Sequence, residues 1–184
     1  MTNPTGKVWQ RIPARQEGPA PELSTEEIRA IDEERSHYEN DAAAGLEALR
    51  IVQRARGWIS DDSLRAISAY LGIAEAELEG LATYYQLLFR RPPGAEVLQL
   101  CRSSSCWILG CEQLQGWLEQ ELQVRPGETT ADGIFTLLEN PCLGACDRAP
   151  VMLLGEALHT NLTEEKLREV LAEKRRRHAD QSAD

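Results

Sequence analysis

The sequence is missing the motifs that would mark a self-sufficient enzyme. It has no G-x-G-x-x-G and no G-x-x-x-x-G-K followed by Ser or Thr, so no dinucleotide or phosphate cradle is expected of this chain. Neither a nucleophile elbow nor an H-E-x-x-H pair occurs. The C-x-x-C of thioredoxin-like thiol oxidoreductases is absent, which argues against dithiol chemistry. No apolar run approaches the eighteen or so residues of a membrane-spanning helix. The stretch Met1 to Ala20 has no apolar h-region and holds Pro4, Pro13 and Pro19, so it does not read as a secretory signal; a cytoplasmic location is expected. Positive charge is also short: 20 Lys and Arg against 30 Asp and Glu give a net charge of −10. Phosphate binding needs a basic surface, so a nucleic-acid role is disfavoured.

What is present suits a globular protein. Hydrophobic residues make up 42% of the 184, enough for one ordinary core or a small domain with a helical extension. Residues 22–48 carry nine acidic and two basic side chains, which reads as a solvated helix face. The run Lys174-Arg-Arg-Arg-His178 closes an expected helix, where positive charge complements the helix dipole.

Four helices are expected in the first half. Residues 1–21 are polar and proline-containing and read as a flexible arm. Ser24-Thr-Glu-Glu27 has the capping-box form and starts a helix at about Thr25. A second helix spans Asp41 to Arg56, with Leu46, Leu49 and Val52 on one face and Gly57 as its stop. Ser60 caps a third, with Leu64, Ile67 and Leu71 inward and Gly72 at its end. A fourth covers Glu75 to Leu88 through Leu78, Leu81, Tyr85 and Leu88, and the Tyr84-Tyr85 pair is expected to be buried. Together they form a helical bundle over 22–91, and Pro92-Pro93-Gly94 marks the boundary.

After the boundary the pattern turns to β-α-β-β-α, over 92–173 with a polar tail at 174–184. Glu96 to Leu100 is a strand running into Cys101. Leu114, Leu118 and Leu122 lie on one face of a helix over Cys111 to Leu122. Ile134 to Leu138 and Val151 to Leu154 are strands, with a short fourth at Ala157 to His159. Thr163 caps the last helix, whose Leu167, Val170 and Leu171 face inward. Helices against a sheet make an α/β layer.

The five cysteines carry the chemistry. Cys101-Arg-Ser-Ser-Ser-Cys106 and Cys142-Leu-Gly-Ala-Cys146 are two tight pairs in a chain expected in a reducing compartment, better suited to metal than to disulfides. Four convergent thiolates suit zinc or an iron–sulfur cluster. The spacing fits neither the C-x2-C knuckles of zinc ribbons nor the C-x4-C-x2-C run of plant-type ferredoxins. Small loop residues, Ser103, Ser104 and Ser105, let backbone N–H groups approach sulfur, and Gly144 relieves a turn. Trp107, Leu143 and Val151 are candidates for an apolar shield, and Asp147 and Arg148 for tuning or contact. Cys111 reads as a buried free thiol. His159 could replace a cysteine ligand, but four thiolates already close the set; His37 and His178 are assigned no role.

The words around the cysteines are more specific than their spacing. "GETTADGIFTLLENPCLGACDRAPVM", "GWISDDSLRAISAYLGI", "LATYYQLLFRRPPG" and "CRSSSCWILGCEQL" resemble, in the same order, the thioredoxin-like [2Fe–2S] ferredoxins. They are most similar to the group that serves as the E subunit of bacterial NADH:quinone oxidoreductase (respiratory complex I). The resemblance runs from about Gly57 to Leu171. It implies a helical bundle followed by a thioredoxin-like domain, and a [2Fe–2S] cluster held by Cys101, Cys106, Cys142 and Cys146. It also implies an electron-transfer subunit beside a flavoprotein that binds FMN and NADH, with no NADH site of its own. In such a complex the chain would lie peripherally on the inner membrane. NAD-dependent formate dehydrogenases and NAD-reducing hydrogenases use the same type of subunit. A free-standing ferredoxin and a structural zinc protein are the readings from other classes.

Overall fold

The computed structural model describes residues 22–181; the arm expected over 1–21 and the end of the tail, 182–184, lie outside the described residues. The chain divides into two compact units, one up to Arg90 and one from Arg91.

The first unit begins with helix α1, Thr25–Arg35. Ser24 Oγ accepts from the Glu27 N–H at 3.1 Å and Glu27 Oε2 accepts from the Ser24 N–H at 2.7 Å, so two otherwise orphaned donors are satisfied reciprocally. Helix α2 is Gly45–Arg56, not Asp41 to Arg56 as the periodicity suggests. The preceding residues, Asp41–Ala44, form a 3-10 turn capped by Asn40, whose Oδ1 accepts from Ala43 at 3.0 Å. Gly45 opens the α-helix where an added Cβ would stand 3.2 Å from Leu78. Helices α3, Asp61–Leu71, and α4, Glu75–Tyr84, follow. Gly57 and Gly72 stop α2 and α3 at φ of +84° and +67°, a conformation that glycine adopts without a Cβ penalty.

Helix α4 ends four residues earlier than its leucine spacing implies. Tyr85 is extended, and the chain beyond it is claimed by a side chain on α2. Gln53 Nε2 donates to Leu87 O at 2.7 Å while Gln53 Oε1 accepts from the Phe89 N–H at 2.6 Å. The Ile59 N–H adds a bond to Phe89 O at 2.8 Å. These contacts satisfy the backbone that another helical turn would have satisfied. Leu88 stays buried, but Tyr84 and Tyr85 are both exposed, at 81% and 37%, so the burial expected for the tyrosine pair does not hold. The core is Ile31, Leu49, Val52, Ile59, Ile67 and Leu78.

The second unit is a four-stranded sheet in the order β2-β1-β3-β4. The strands are β1 Glu96–Cys101, β2 Phe135–Asn140, β3 Met152–Leu154 and β4 Ala157–His159. β1 and β2 are parallel, with Glu96 opposite Phe135 and Cys101 opposite Asn140; β3 and β4 are antiparallel additions. Between β1 and β2 lie a short helix α5, Ser104–Ile108, and α6, Cys111–Leu122. The last helix, α7, runs Glu164–Gln181 and includes Lys174 to His178. Lys174 Nζ reaches Glu96 Oε1 at 2.6 Å, tying α7 to the start of β1. Leu98, Leu100, Leu137, Met152 and Leu154 of the sheet pack with Leu118 of α6 and Leu167 of α7. Gly94 lies against β2 so closely that a Cβ would stand 2.7 Å from Ile134 O and from Phe135 C.

Candidate metal centre

Parallel pairing places the exits of β1 and β2 side by side, and each exit carries one cysteine pair. Cys101 is the last residue of β1, and Cys142 follows the end of β2 by two residues. Asn140 links the two loops. Its carbonyl accepts from the Arg102 N–H at 2.8 Å, and its Oδ1 accepts from the Cys142 N–H at 3.2 Å. Its Nδ2 donates to Gln99 Oε1 on β1 at 2.9 Å. Sequence reasoning misses this anchoring role. Its one local signal is an Asn two residues before a loop residue, the Asx-turn arrangement.

The first pair is buried and the second exposed. Cys101, Cys106 and Cys111 share an apolar nest with Ala145, Ala149 and Val151, and Leu143 packs against it. Leu143 and Val151 pack against the inner cysteines. Trp107 does not. It is 56% exposed, with Ile108 and Leu109 beside it at 73% and 57%. The segment after Cys101, expected as a tight loop, winds into α5, and that turn carries Trp107 outward.

The outer pair is spaced as two ligands of one metal would be. Cys142 Sγ and Cys146 Sγ are 3.9 Å apart. Two thiolates on one tetrahedral metal, each at about 2.3 Å, are separated by about 3.8 Å. Gly144 takes φ +78°, which aims its N–H at Cys142 Sγ at 3.4 Å. An added Cβ there would meet nothing within 4 Å, so conformation and not space calls for glycine. On the other side, Cys101 Sγ lies 3.5 Å from Ser103 Oγ. Burial works against a Cys101 thiolate, but the Ser103 hydroxyl and N–H, the Leu143 N–H and Cys106 together bring its pKa below the ordinary thiol value. Burial, reinforced by the neighbouring Cys101, raises Cys106. Among the described residues no three His, Cys, Asp or Glu side chains are placed to hold a single ion.

Cys111 is the first residue of α6 and fully buried. Burial raises its pKa, with the Arg102 cation opposing. It shares the nest with Cys101 and Cys106. Asp147 and Arg148 are exposed and pair loosely at 3.6 Å. His159 lies on the outer strand β4 with its Nε2 buried and unpartnered. Burial, followed by the nearby Lys174, holds its pKa down.

The chain is similar to several known proteins. Residues 31–175 match the thioredoxin-like [2Fe–2S] ferredoxin family. The E subunit of NADH-quinone oxidoreductase from Salmonella typhimurium is 47% identical over 150 residues, covering 82% of this chain and 90% of that protein. Its counterpart from Escherichia coli K12 gives the same identity and coverage. That of Pseudomonas aeruginosa is 44% identical over 137 residues, with 74% and 82% covered. Among solved structures, the NAD+-reducing [NiFe]-hydrogenase in its air-oxidised state superposes with a TM-score of 0.62 at 21% identity. The match covers 72% of this chain and 23% of that one, and shows the fold alone.

Proposed function

Because the chain belongs to the thioredoxin-like [2Fe–2S] ferredoxin family, we propose that it is the electron-transfer iron–sulfur subunit of an NADH dehydrogenase module of the complex I type. Cys101, Cys106, Cys142 and Cys146 would hold the cluster. When bound, a [2Fe–2S] cluster takes up and returns one electron, which suits exchange with FMN in a partner subunit that also binds NADH. The observation that carries the reading is the near-full-length identity to the E subunit of that complex. The placement of the sulfurs as two pairs, one at each strand exit, supports a two-iron centre.

The protein's own residues supply position and environment. Parallel β1 and β2 bring both loops to one sheet edge. The Leu143, Ser103 and Gly144 N–H groups point at sulfur, and hydrogen bonds to cluster sulfurs favour the more negative, reduced state. Ala145, Ala149 and Val151 keep water from the inner pair. The outer pair is exposed, and Trp107, Ile108 and Leu109, next to Cys106, present apolar surface of the kind a protein partner covers. The flavoprotein is the partner that would both cover these ligands and exchange electrons with them. No helix among the described residues is long and apolar enough to cross a membrane; membrane association would come through the larger complex.

The test is iron and acid-labile sulfide per chain on protein purified without oxygen, with EPR after dithionite reduction. Two irons, two sulfides and a rhombic signal are expected. Zinc without labile sulfide would overturn the reading.

A further inference from the structure

Arg102 follows Cys101 and stands where three elements meet. Its Nε is 3.6 Å from Glu139 Oε1, near the end of β2, and its NH2 nitrogen is 3.7 Å from Glu112 Oε1, in the first turn of α6. Its N–H is bonded to Asn140 O. The side chain is 29% exposed, against 58% for Glu112 and 43% for Glu139. Both contacts are longer than the 2.7–2.9 Å of a tight charge-assisted bond. The guanidinium therefore bridges two carboxylates without being locked to either.

We infer that Arg102 is a positioning residue that clasps the two cysteine loops together and raises the reduction potential of the centre they hold, opposed by Glu112 and Glu139. The inference rests on the ligand assignment proposed above. The bridge joins the exit of β1 to the strand that delivers Cys142 and to the helix that begins at Cys111. A fixed spacing between loops is what a two-iron centre needs before it is loaded. The electrostatic part follows from charge balance. Reduction adds one electron to the centre, drawn from the partner's reduced flavin or, in the test, from dithionite; no bond or proton changes at Arg102. A cation beside a ligand stabilises that extra negative charge, and a carboxylate opposes it. The planar fork is needed for the clasp, since lysine offers one point charge and cannot span two carboxylates in the same way.

The experiment is an EPR-monitored redox titration of the full chain prepared without oxygen, with iron and labile sulfide measured alongside. R102Q is expected to become about tenfold harder to reduce, which for a one-electron couple is about 59 mV more negative. E112Q and E139Q are expected to shift the midpoint the other way. R102K is expected to keep a near-native midpoint while losing iron faster to a chelator. A merely structural arginine would change iron content without a midpoint that follows the sign of the charge removed. Full cluster content with unmoved midpoints in R102Q, E112Q and E139Q overturns the inference. If R102Q fails to load, opposite-sign behaviour is sought in the two glutamate variants, and its absence there overturns the inference equally. Wild-type protein without labile sulfide would instead overturn the ligand assignment, and this inference with it.

Discussion

Cys101 and Asn140 are register partners at the ends of two parallel strands, and through that pairing one cysteine loop is measured against the other. Cys101 is the first sulfur of the inner pair. Asn140 holds the backbone of Arg102 on one side and of Cys142 on the other. The two loops are far apart in sequence and are brought within reach by the ladder between β1 and β2.

Replacing Asn140 with Ala keeps the carbonyl that holds Arg102 but frees the second loop and the side-chain link to β1. It leaves the Cys142 N–H and the Gln99 amide unpaired, at about 1 kcal/mol each. The expected outcome is a protein that folds and loads, but loses iron to a chelator several-fold faster than wild type. Equal retention would show that Asn140 is dispensable.

The proposed assignment divides the cysteines into four ligands and a bystander. Alanine at Cys101, Cys106, Cys142 or Cys146 is expected to abolish or cripple cluster assembly, read as labile sulfide and EPR signal. Cys111→Ala is expected to keep the cluster. A Cys111 variant that alone lost it would reverse the assignment.

Gly94→Ala tests how β1 is seated. The added methyl would collide with the backbone of Ile134 and Phe135, both at 2.7 Å, and backbone in a sheet cannot swing aside as a flexible side chain can. The Gly94 N–H also bonds Thr136 Oγ1 at 2.6 Å. A loss of about 2 kcal/mol or more is expected in denaturant unfolding of the second unit, together with poorer iron retention.

Glu27 makes the first unit sensitive to acid. Its side chain is 3% exposed, and Arg56 grips both oxygens at 2.6 Å. The Arg56 hydrogen bond is the largest influence on Glu27, and the net effect holds its carboxyl below the ordinary glutamate value. A carboxyl with a depressed folded pKa contributes stability above its unfolded pKa and loses it as pH falls through the folded value. Glu27→Gln is expected to cost about 2 kcal/mol at neutral pH. The gap to wild type, measured by urea unfolding, should then narrow below about pH 4. A gap independent of pH would refute the role of the charge.

The apolar triplet beside Cys106 predicts a partner defect. Trp107→Ser with Ile108→Ser is expected to leave iron and sulfide unchanged, because neither side chain covers the sulfurs. Recovery of a co-expressed NADH-binding flavoprotein with this chain is expected to fall at least several-fold. Undiminished recovery would place the contact elsewhere.

Much of this architecture is legible in local signals, because capping and turn chemistry act within four residues of themselves. Ser24 with Glu27, Ser60 with Ser63, and Gly57 and Gly72 at left-handed φ all mark helix ends that the structure shares. The strand carrying Cys101 is visible in its β-prone alternation, and the paired cysteines in their spacing. The end of α4 is not visible, because Gln53 lies thirty-four and thirty-six residues from the backbone groups it captures. Trp107 misleads for a similar reason: a tryptophan beside a cysteine looks like a shield until α5 turns it outward.

Local chemistry along the chain is enough to say which residues could ligate metal, where capped helices begin and end, and which side chains are apolar enough to form two cores. It does not say that Cys101 and Cys106 are buried while Cys142 and Cys146 face outward, nor that Asn140 bonds the backbone of both loops; those are settled by the folded arrangement. The physical reason is range. Propensity and capping are properties of neighbouring residues, whereas burial and charge pairing depend on which distant segments a parallel strand ladder sets side by side.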